Sequence, residues 1–215
     1  MHKVLIPKKR RIIALDADGV LLDYNKAAAR TWEIAFGHAP VVKDPGAYHF
    51  RNVYDMDLSD DKKYSTFYGI FEKTAWSSMP AMPQAVEGCQ MLHDMGYDLH
   101  VVSSMPVAFA DYRVENFRAL GMPIASVTAT GRIEGGGNPK RAKLLALQPV
   151  AFVDDLLSNF DGVHQEMHCA LLHWDSMDNP NQIHEHEMKA SSHSDMMNFA
   201  EYWSAHPAHT AWVAG

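Results

Sequence analysis

The chain has 215 residues and carries 19 Lys and Arg against 26 Asp and Glu, so its formal net charge is −7 with histidine neutral. A hydrophobic fraction of 47% and a charged fraction of 21% are typical of a folded protein and exclude an intrinsically disordered chain. The acidic balance argues against a nucleic acid polymer as a partner, because counterion release requires clustered Lys and Arg.

Cysteine usage and hydropathy indicate the compartment. Cys89 and Cys169 lie in apolar surroundings and lack the spacing of a metal site. No apolar stretch approaches the roughly 20 residues that span a bilayer, and the first residues lack a signal-peptide pattern. We therefore expect a cytoplasmic protein with reduced thiols and no membrane partner, whereas the sequence does not indicate an oligomeric state.

Short apolar runs alternate with stretches of helical spacing, a pattern typical of alternating strands and helices. The predicted strands are 12–17, 99–103, 126–130, 150–153 and 169–174. The predicted helices outside the first gap are 85–95, 109–120, 139–147 and 196–203. This order predicts an α/β fold, a Rossmann-like parallel sheet with helices on both faces.

The gap between the first two predicted strands is longer than the roughly 30 residues of a strand-helix-strand unit. Residues 25–84 are rich in aromatic side chains and contain no convincing strand. Since a structureless loop of this length is rare in a compact domain, we predict a small, mainly helical domain at 25–84. The α/β core is then formed by residues 1–24 and 85–215.

Acidic residues follow two of the predicted strands. Asp16 and Asp18 follow the first strand together with Gly19, which permits a tight turn, and Asp154 and Asp155 end the fourth. The carboxyl ends of parallel strands meet at one edge, where ligands of open α/β sheets bind. Carboxylates gathered there repel one another unless a cation lies among them, so the pattern predicts a divalent ion with oxygen ligands, Mg²⁺ first.

A hydroxyl and an ammonium group complete the candidate site. The second predicted strand ends in Ser103 and Ser104, and Lys140 opens the helix that precedes the fourth strand, with Lys143 as the alternative lysine.

The histidines do not suggest a metal site. His184, His186 and His193 lie in a polar stretch, and residues two apart do not share a helix face, so we interpret them as a surface tail.

The ordered set of motifs resembles the haloacid dehalogenase superfamily of phosphohydrolases. The first motif of that superfamily corresponds to Asp16-Ala17-Asp18-Gly19-Val20, and the second, an apolar strand ending in Ser or Thr, to 99–103. The third, a lysine at a helix start, corresponds to Lys140, and the fourth, a strand ending in two acids, to 151–155. The resemblance covers the α/β core and implies that 25–84 is a helical cap over the site.

The resemblance implies a role for each matching residue. Asp16 would attack phosphorus and form an aspartyl-phosphate, while Asp18 would act as general acid and then as general base. Phosphoryl oxygens would be bound by Ser103, Ser104 and Lys140. The metal site would comprise Asp16, Asp18 through its carbonyl group, Asp154 and Asp155, although Asp155 alternatively only orients its neighbour. Asn159 is a weaker candidate near the metal.

The implied activity is Mg²⁺-dependent hydrolysis of a small phosphorylated metabolite. Asp18 favours phosphoryl transfer over dehalogenation, because a halide leaving group needs no proton. One alternative is a 5′(3′)-deoxyribonucleotidase, which the stretch 76–104 resembles, although those enzymes carry a lysine soon after the second motif and none occurs here between Ser104 and Pro139. The motifs are also compatible with a phosphotransferase or mutase, and with a protein that only binds a phosphorylated ligand.

Overall fold

The structure is a computed structural model that describes residues 10–134, 136–172, 180–181 and 190–214. The elements in chain order are β1 (Arg11–Leu15), α1 (Tyr24–Phe36), β2 (Val41–Val42), α2 (Phe50–Val53), β3 (Tyr54–Asp55), α3 (Asp61–Thr74), α4 (Ala85–Asp94), β4 (Tyr97–Ser103), α5 (Ala110–Ala119), β5 (Ile124–Ala129), α6 (Arg141–Leu147), β6 (Ala151–Asp154), β7 (His168–Leu172), β8 (Ala190–His193), α7 (Met196–Ala205) and α8 (Pro207–Ala214). Short 3-10 turns lie at Ala75–Ser77, Val107–Phe109 and Leu157–Phe160.

Six strands form one parallel sheet in the order β5-β4-β1-β6-β7-β8. Successive residues of β1 point to opposite faces, as the pleat requires. Ile13 and Leu15 pack into a core with α4, α5 and α7, whereas Ala14 packs into a second core with Leu144 of α6. Helices therefore cover both faces, and the predicted α/β fold class is confirmed.

The sequence located five of the six sheet strands, with ends that differ by a few residues. The edge strand β8 was missed because its sequence, Ala-Ser-Ser-His, has no apolar run and becomes a strand by pairing with β7. His193 lies on β8 and is 5% exposed, so its assignment to a surface tail is wrong. His184 and His186 lie outside the described residues, as do positions 173 and 174 of the predicted fifth strand.

The residues between β1 and α4 are mainly helical, as predicted, although β2 and β3 form a short antiparallel pair that the sequence did not indicate. The two ends of this inserted segment run side by side. The amide of Asp23 donates to Pro80 O at 2.8 Å, and the amide of Met82 donates to Leu21 O at 2.9 Å. The segment therefore leaves and re-enters the α/β part through one paired connection.

Two further expectations concern thiols and membranes. Cys89 and Cys169 are both buried, and neither forms a disulfide. Within the described part of the chain, none of the helices combines the length and apolar character that crossing a bilayer requires.

Candidate functional site

The candidate site lies at the carboxyl edge of the sheet, where three neighbouring strands end. The central strand β1 pairs with β4 on one side and β6 on the other, and Leu15 is in register with both Val101 and Val153. The amide of Asp16 continues this pairing by donating to Val153 O at 2.9 Å. The parallel register therefore brings the residues after β1, β4 and β6 to one place.

Three carboxylates meet at this edge, as the acidic residues at the predicted strand ends indicated. One oxygen each of Asp16, Asp154 and Asp155 lies within 4.8 Å of the other two, and the three residues are 6%, 0% and 1% exposed. Charged carboxylates are rarely buried without partners, because burial removes their hydration. The cluster therefore needs cationic or hydrogen-bonding partners.

Lys140 is the cationic partner of this cluster. Its Nζ lies 2.7 Å from Asp16 Oδ1 and 2.6 Å from Asp154 Oδ2, and the residue is fully buried. Lys140 immediately precedes α6, close to its predicted place at the helix start. The rival Lys143 makes no ion pair in the part of the chain that the structure describes. Lys140 thus holds two carboxylates in place, whereas phosphate binding by it stays a prediction.

Two asparagines fix the geometry around Lys140. Asn138 Oδ1 accepts a hydrogen bond from the Lys140 amide at 2.9 Å. Asn138 Nδ2 donates to Asn159 O at 2.5 Å and to Asp161 O at 3.1 Å. Asn159 in turn donates to Asp154 Oδ1 at 2.9 Å. Both side chains are buried, so this network holds the lysine and Asp154 at a fixed separation.

The electrostatics of the cluster favour an additional cation. Burial raises the pKa of Asp16 to about 7, with Lys140 opposing the shift and Asp154 and Asp18 adding to it. Burial also raises the pKa of Asp155 well above its usual range, and the charges of Asp154 and Asp16 add to the effect. For Lys140, the loss of hydration is outweighed by the two carboxylates, and its pKa is raised. One ammonium therefore does not balance three buried carboxylates.

The donor set suits a hard divalent ion such as Mg²⁺. Asp155 Oδ1 is buried and has no hydrogen-bond partner among the described residues, so a ligand position is free on that carboxylate. Carboxylate and carbonyl oxygens are the ligands that Mg²⁺ prefers. Asp16, Asp154 and Asp155 therefore form a candidate metal site.

Two contacts with neighbouring residues set the position of Asp155. Gly19 adopts φ +88°, and a Cβ on it would lie 2.2 Å from Asp155 Oδ2. From the inserted segment, the hydroxyl of Tyr48 donates to the same oxygen at 2.8 Å. Burial and the Asp155 charge raise the pKa of Tyr48, which keeps it a donor. The inserted segment therefore contacts the acid cluster directly.

Asp18 lies apart from the three buried carboxylates. Its side chain is 26% exposed and lines a cavity, and its Oδ1 pairs with Arg113 Nη2 at 2.7 Å. Arg113 lies on α5 and is fully buried. Asp18 is thus the carboxylate of the first motif that faces open space.

The two predicted serines occupy different positions. Ser103 is 2% exposed, and its Oγ accepts the Met105 amide at 3.3 Å. Ser104 is half-buried and lines the cavity. Both lie at the predicted edge, at the end of β4, and their contact with a phosphoryl group stays a prediction.

A cavity of about 760 Å³ opens beside the acid cluster, between the inserted segment and the sheet edge. Asp18 and Asp155 lie on one wall. Eight aromatic side chains also line the cavity, namely Tyr24, Tyr48, Phe50, Tyr64, Tyr68, Phe71, Trp76 and Phe109. Arg132, from the loop after β5, is the cation on its wall among the described residues. The space suits a ligand with an apolar or aromatic part and an anionic part.

Sequence reasoning missed Tyr48, Arg113, Arg132 and Asn138. Arg113 and Asn116 are polar residues of a predicted helix, yet both are buried beside Phe117. Positions 116 and 117 lie three and four residues after position 113, so the three side chains share one helix face. This spacing beside an apolar residue is the sequence pattern that indicates burial of Arg113 and Asn116. Tyr48 gave no such signal, because its contact with Asp155 spans 107 positions of the chain.

The chain is similar to known proteins in structure. No family model and no curated protein matches its sequence. A haloacid dehalogenase-like hydrolase of Streptococcus pneumoniae superposes with a TM-score of 0.57 over 91% of this chain and 99% of that chain, at 13% identity. A predicted phosphoglycolate phosphatase of Haemophilus somnus gives 0.59 over 92% and 99%, at 15% identity. An L-2-haloacid dehalogenase gives 0.59 over 92% and 100%, also at 15% identity.

The chain has the haloacid dehalogenase fold. The similar structures include both dehalogenases and phosphatases, so the fold alone does not choose between these activities. That choice depends on the residues of the site.

Proposed function

We propose that this protein is a Mg²⁺-dependent phosphomonoester hydrolase that uses Asp16 as nucleophile. The observation that carries the proposal is the buried cluster of Asp16, Asp154 and Asp155, held by Lys140 and adjoining a cavity that Asp18 lines. Mg²⁺ held by Asp16, Asp154, Asp155 and the Asp18 carbonyl would offset the charge of the phosphoryl group and of the nucleophile.

Two steps complete the proposed reaction. A carboxylate oxygen of Asp16 bonds to phosphorus as the bond from phosphorus to the leaving oxygen breaks, and Asp18 gives its proton to that oxygen. Water then attacks phosphorus, Asp18 takes one of its protons, and the bond to Asp16 breaks. The products are an alcohol and phosphate, and both aspartates return to their starting state.

Asp18 is the residue that supports phosphoryl transfer over dehalogenation. An alkoxide leaving group needs a proton, whereas a halide does not. Asp18 lies on the cavity wall with one oxygen paired to Arg113, which leaves the other for proton transfer. Ser104 lies on the same wall and is proposed to bind a phosphoryl oxygen, with Ser103 behind it.

A nucleotidase is the second candidate because of the aromatic cavity wall. A nucleobase stacks on aromatic side chains, and eight of them line the 760 Å³ cavity. The stretch between Ser104 and Pro139, which holds no lysine, contributes Arg132 to the wall. Our first proposal for the substrate remains a small phosphorylated metabolite. We propose the cytoplasm as the compartment of the protein.

The proposed function is tested with purified protein and a panel of phosphomonoesters, including nucleoside monophosphates, with Mg²⁺ or with EDTA. We expect Asp16→Asn to lower kcat by at least about 1000-fold, because removal of a catalytic nucleophile leaves only binding and electrostatic effects. EDTA should abolish the wild-type activity. Turnover that survives either change would refute the mechanism, and phosphate-ester binding without any turnover would indicate a binding protein.

Metal binding is tested separately from activity. We expect 5 mM Mg²⁺ to raise the Tm of the wild type, because an ion that binds only the folded state stabilises it. In Asp155→Asn the rise should be much smaller, whereas Asp161→Asn, an exposed acid beyond the cluster, should keep it. An equal rise in both variants would place the metal elsewhere.

A further inference from the structure

Arg113 is a buried cation that the proposed reaction does not use directly. It is fully buried, and in the part of the chain that the structure describes its sole ion-pair partner is Asp18, at 2.7 Å from Nη2 to Oδ1. Its Nη1 donates to Met79 Sδ at 3.1 Å, a weak acceptor, and its Nε has no hydrogen-bond partner among the described residues. The guanidinium therefore retains little of the hydrogen bonding it has in water.

Stability alone does not account for an arginine at this place. Its guanidinium carbon lies 5.1 Å from the centre of the Trp76 ring, and its Nη1 lies against the sulfur of Met79. Replacing a buried ion pair with apolar side chains of similar volume is often neutral or stabilising, because the charges lose their hydration. A methionine at position 113 would suit these neighbours. Unlike methionine, an arginine at this position forms an ion pair with Asp18.

The helix that carries Arg113 is itself fixed at the end of the inserted segment. Asn116, one turn later on α5, accepts the Met79 amide at 2.7 Å and donates to Met79 O at 2.9 Å. Trp76 stacks on Phe109 with ring centres 5.4 Å apart. Arg113 is therefore held against the returning chain, so its guanidinium reaches Asp18 from a fixed position.

We propose that Arg113 is a positioning residue that acts through Asp18, binding one carboxylate oxygen so that the other stays at the cavity for proton transfer. The inference rests on the proposed function. Asp18 Oδ2 has no hydrogen-bond partner in the described ranges, so Arg113 sets the orientation of this carboxylate. With Oδ1 occupied, Oδ2 is the atom that donates a proton to the leaving oxygen and takes one from water.

The first test compares two esters of similar shape that differ in their need for a proton. 4-Nitrobenzyl phosphate releases an alkoxide that requires protonation, whereas 4-nitrophenyl phosphate releases a phenolate that does not. We expect Arg113→Met to lower kcat/KM about 100-fold for the benzyl ester, the size of a general-acid contribution, and less than about 5-fold for the phenyl ester. Arg113→Lys should fall between wild type and Arg113→Met.

The matched control is Arg118→Met, the same change at an exposed position of α5 that forms no ion pair among the described residues. It should change kcat/KM for the two esters by the same factor. If Arg113→Met also lowers both values equally, or lowers neither, the positioning role is refuted.

The second test needs no activity. Asp18→Asn should lower the Tm by about 5 °C because it leaves the Arg113 charge buried without a carboxylate, and the same change in an Arg113→Met background should not lower it. Equal Tm shifts in the two backgrounds would overturn the pairing. If Arg113→Met does not fold, Arg113→Gln supplies the uncharged background, in which Asp18→Asn should again leave the Tm unchanged. A wild type that hydrolyses neither these esters nor any ester of the panel would refute the proposed function, and the Tm comparison would still decide whether Arg113 holds Asp18.

Discussion

Gly19 links the backbone of the first motif to the position of Asp155. Its φ of +88° is in the left-handed region, and its amide donates to Leu22 O at 2.9 Å in the turn after β1. A Cβ at this position would lie 2.2 Å from Asp155 Oδ2, well inside van der Waals contact. Glycine is therefore required twice, by the turn and by the neighbouring carboxylate.

We expect Gly19→Ala to lower the free energy of unfolding by about 2–4 kcal/mol, combining a left-handed backbone with overpacking. Gly37 is the control. Its φ is +76°, and no atom lies within 4 Å of an added Cβ, so Gly37→Ala should cost only about 1 kcal/mol. Urea unfolding with Mg²⁺ absent measures both variants. Equal losses of unfolding free energy in Gly19→Ala and Gly37→Ala would mean that Asp155 moves away from position 19 without cost.

At the scale of elements, α3 carries two neighbouring rows of aromatic side chains that differ in burial. Phe67 and Phe71 are 0% and 1% exposed and pack inside the inserted segment. Tyr64 and Tyr68 lie four positions apart on an adjacent row and line the cavity. The first row thus builds the core of the inserted segment, where Phe71 also reaches the cavity, and the second row lies mainly on the cavity wall.

If the cavity binds the organic part of the substrate, Tyr64→Ala should raise KM for nucleoside monophosphates about 10-fold and change kcat little, because one stacking contact is lost. Glycerol phosphate, which has no ring, should show little change. Tyr112 on α5 is 43% exposed, close to the 46% of Tyr64, and does not line the cavity. Tyr112→Ala should therefore leave both KM values unchanged. The same KM increase for both substrates would rule out stacking on Tyr64.

At the scale of the whole molecule, the β7–β8 edge of the sheet gathers neutral histidines. His168 Nε2 and His193 Nε2 lie 2.9 Å and 2.7 Å from Ser191 Oγ, and the ring of His206 lies 4.9 Å from that of His168. Burial lowers the pKa of His168 to about 4, and the nearby His206 and His193 add to this shift. Burial also lowers the pKa of His193.

These histidines are expected to make the fold sensitive to acid. In the unfolded chain His168 titrates near pH 6.5, so between about pH 6.5 and 4 the unfolded state binds more protons than the folded state. Stability should therefore fall as the pH falls through this window, by on the order of 1 kcal/mol from His168 after allowance for its partial exposure. His168→Gln should flatten this part of the stability curve.

Urea unfolding at several pH values measures the effect. His38→Gln, a change at an exposed position outside this group, is the control and should keep the wild-type slope. A slope that is the same in His168→Gln and the wild type would assign the acid sensitivity to other groups.

Much of the fold followed from local patterns along the chain. The buried strands are continuous apolar runs, and the helices that cover them show helical spacing and stop signals, so their type was predictable and their ends were less so. β8 was not predictable, because Ala190 to His193 pair with β7 although the run is polar. The burial of His193 follows from the same pairing.

The sequence by itself determined which acids and hydroxyls end the strands of a parallel sheet and which lysine precedes a helix, because strand and helix ends are local features and parallel strands share one edge. The tertiary structure alone decided what these groups touch. Lys140 lies between two carboxylates, Tyr48 reaches Asp155 from the inserted segment, and buried Arg113 holds Asp18. Such contacts join residues far apart in the chain. The local pattern that predicts a strand or a helix therefore does not indicate them.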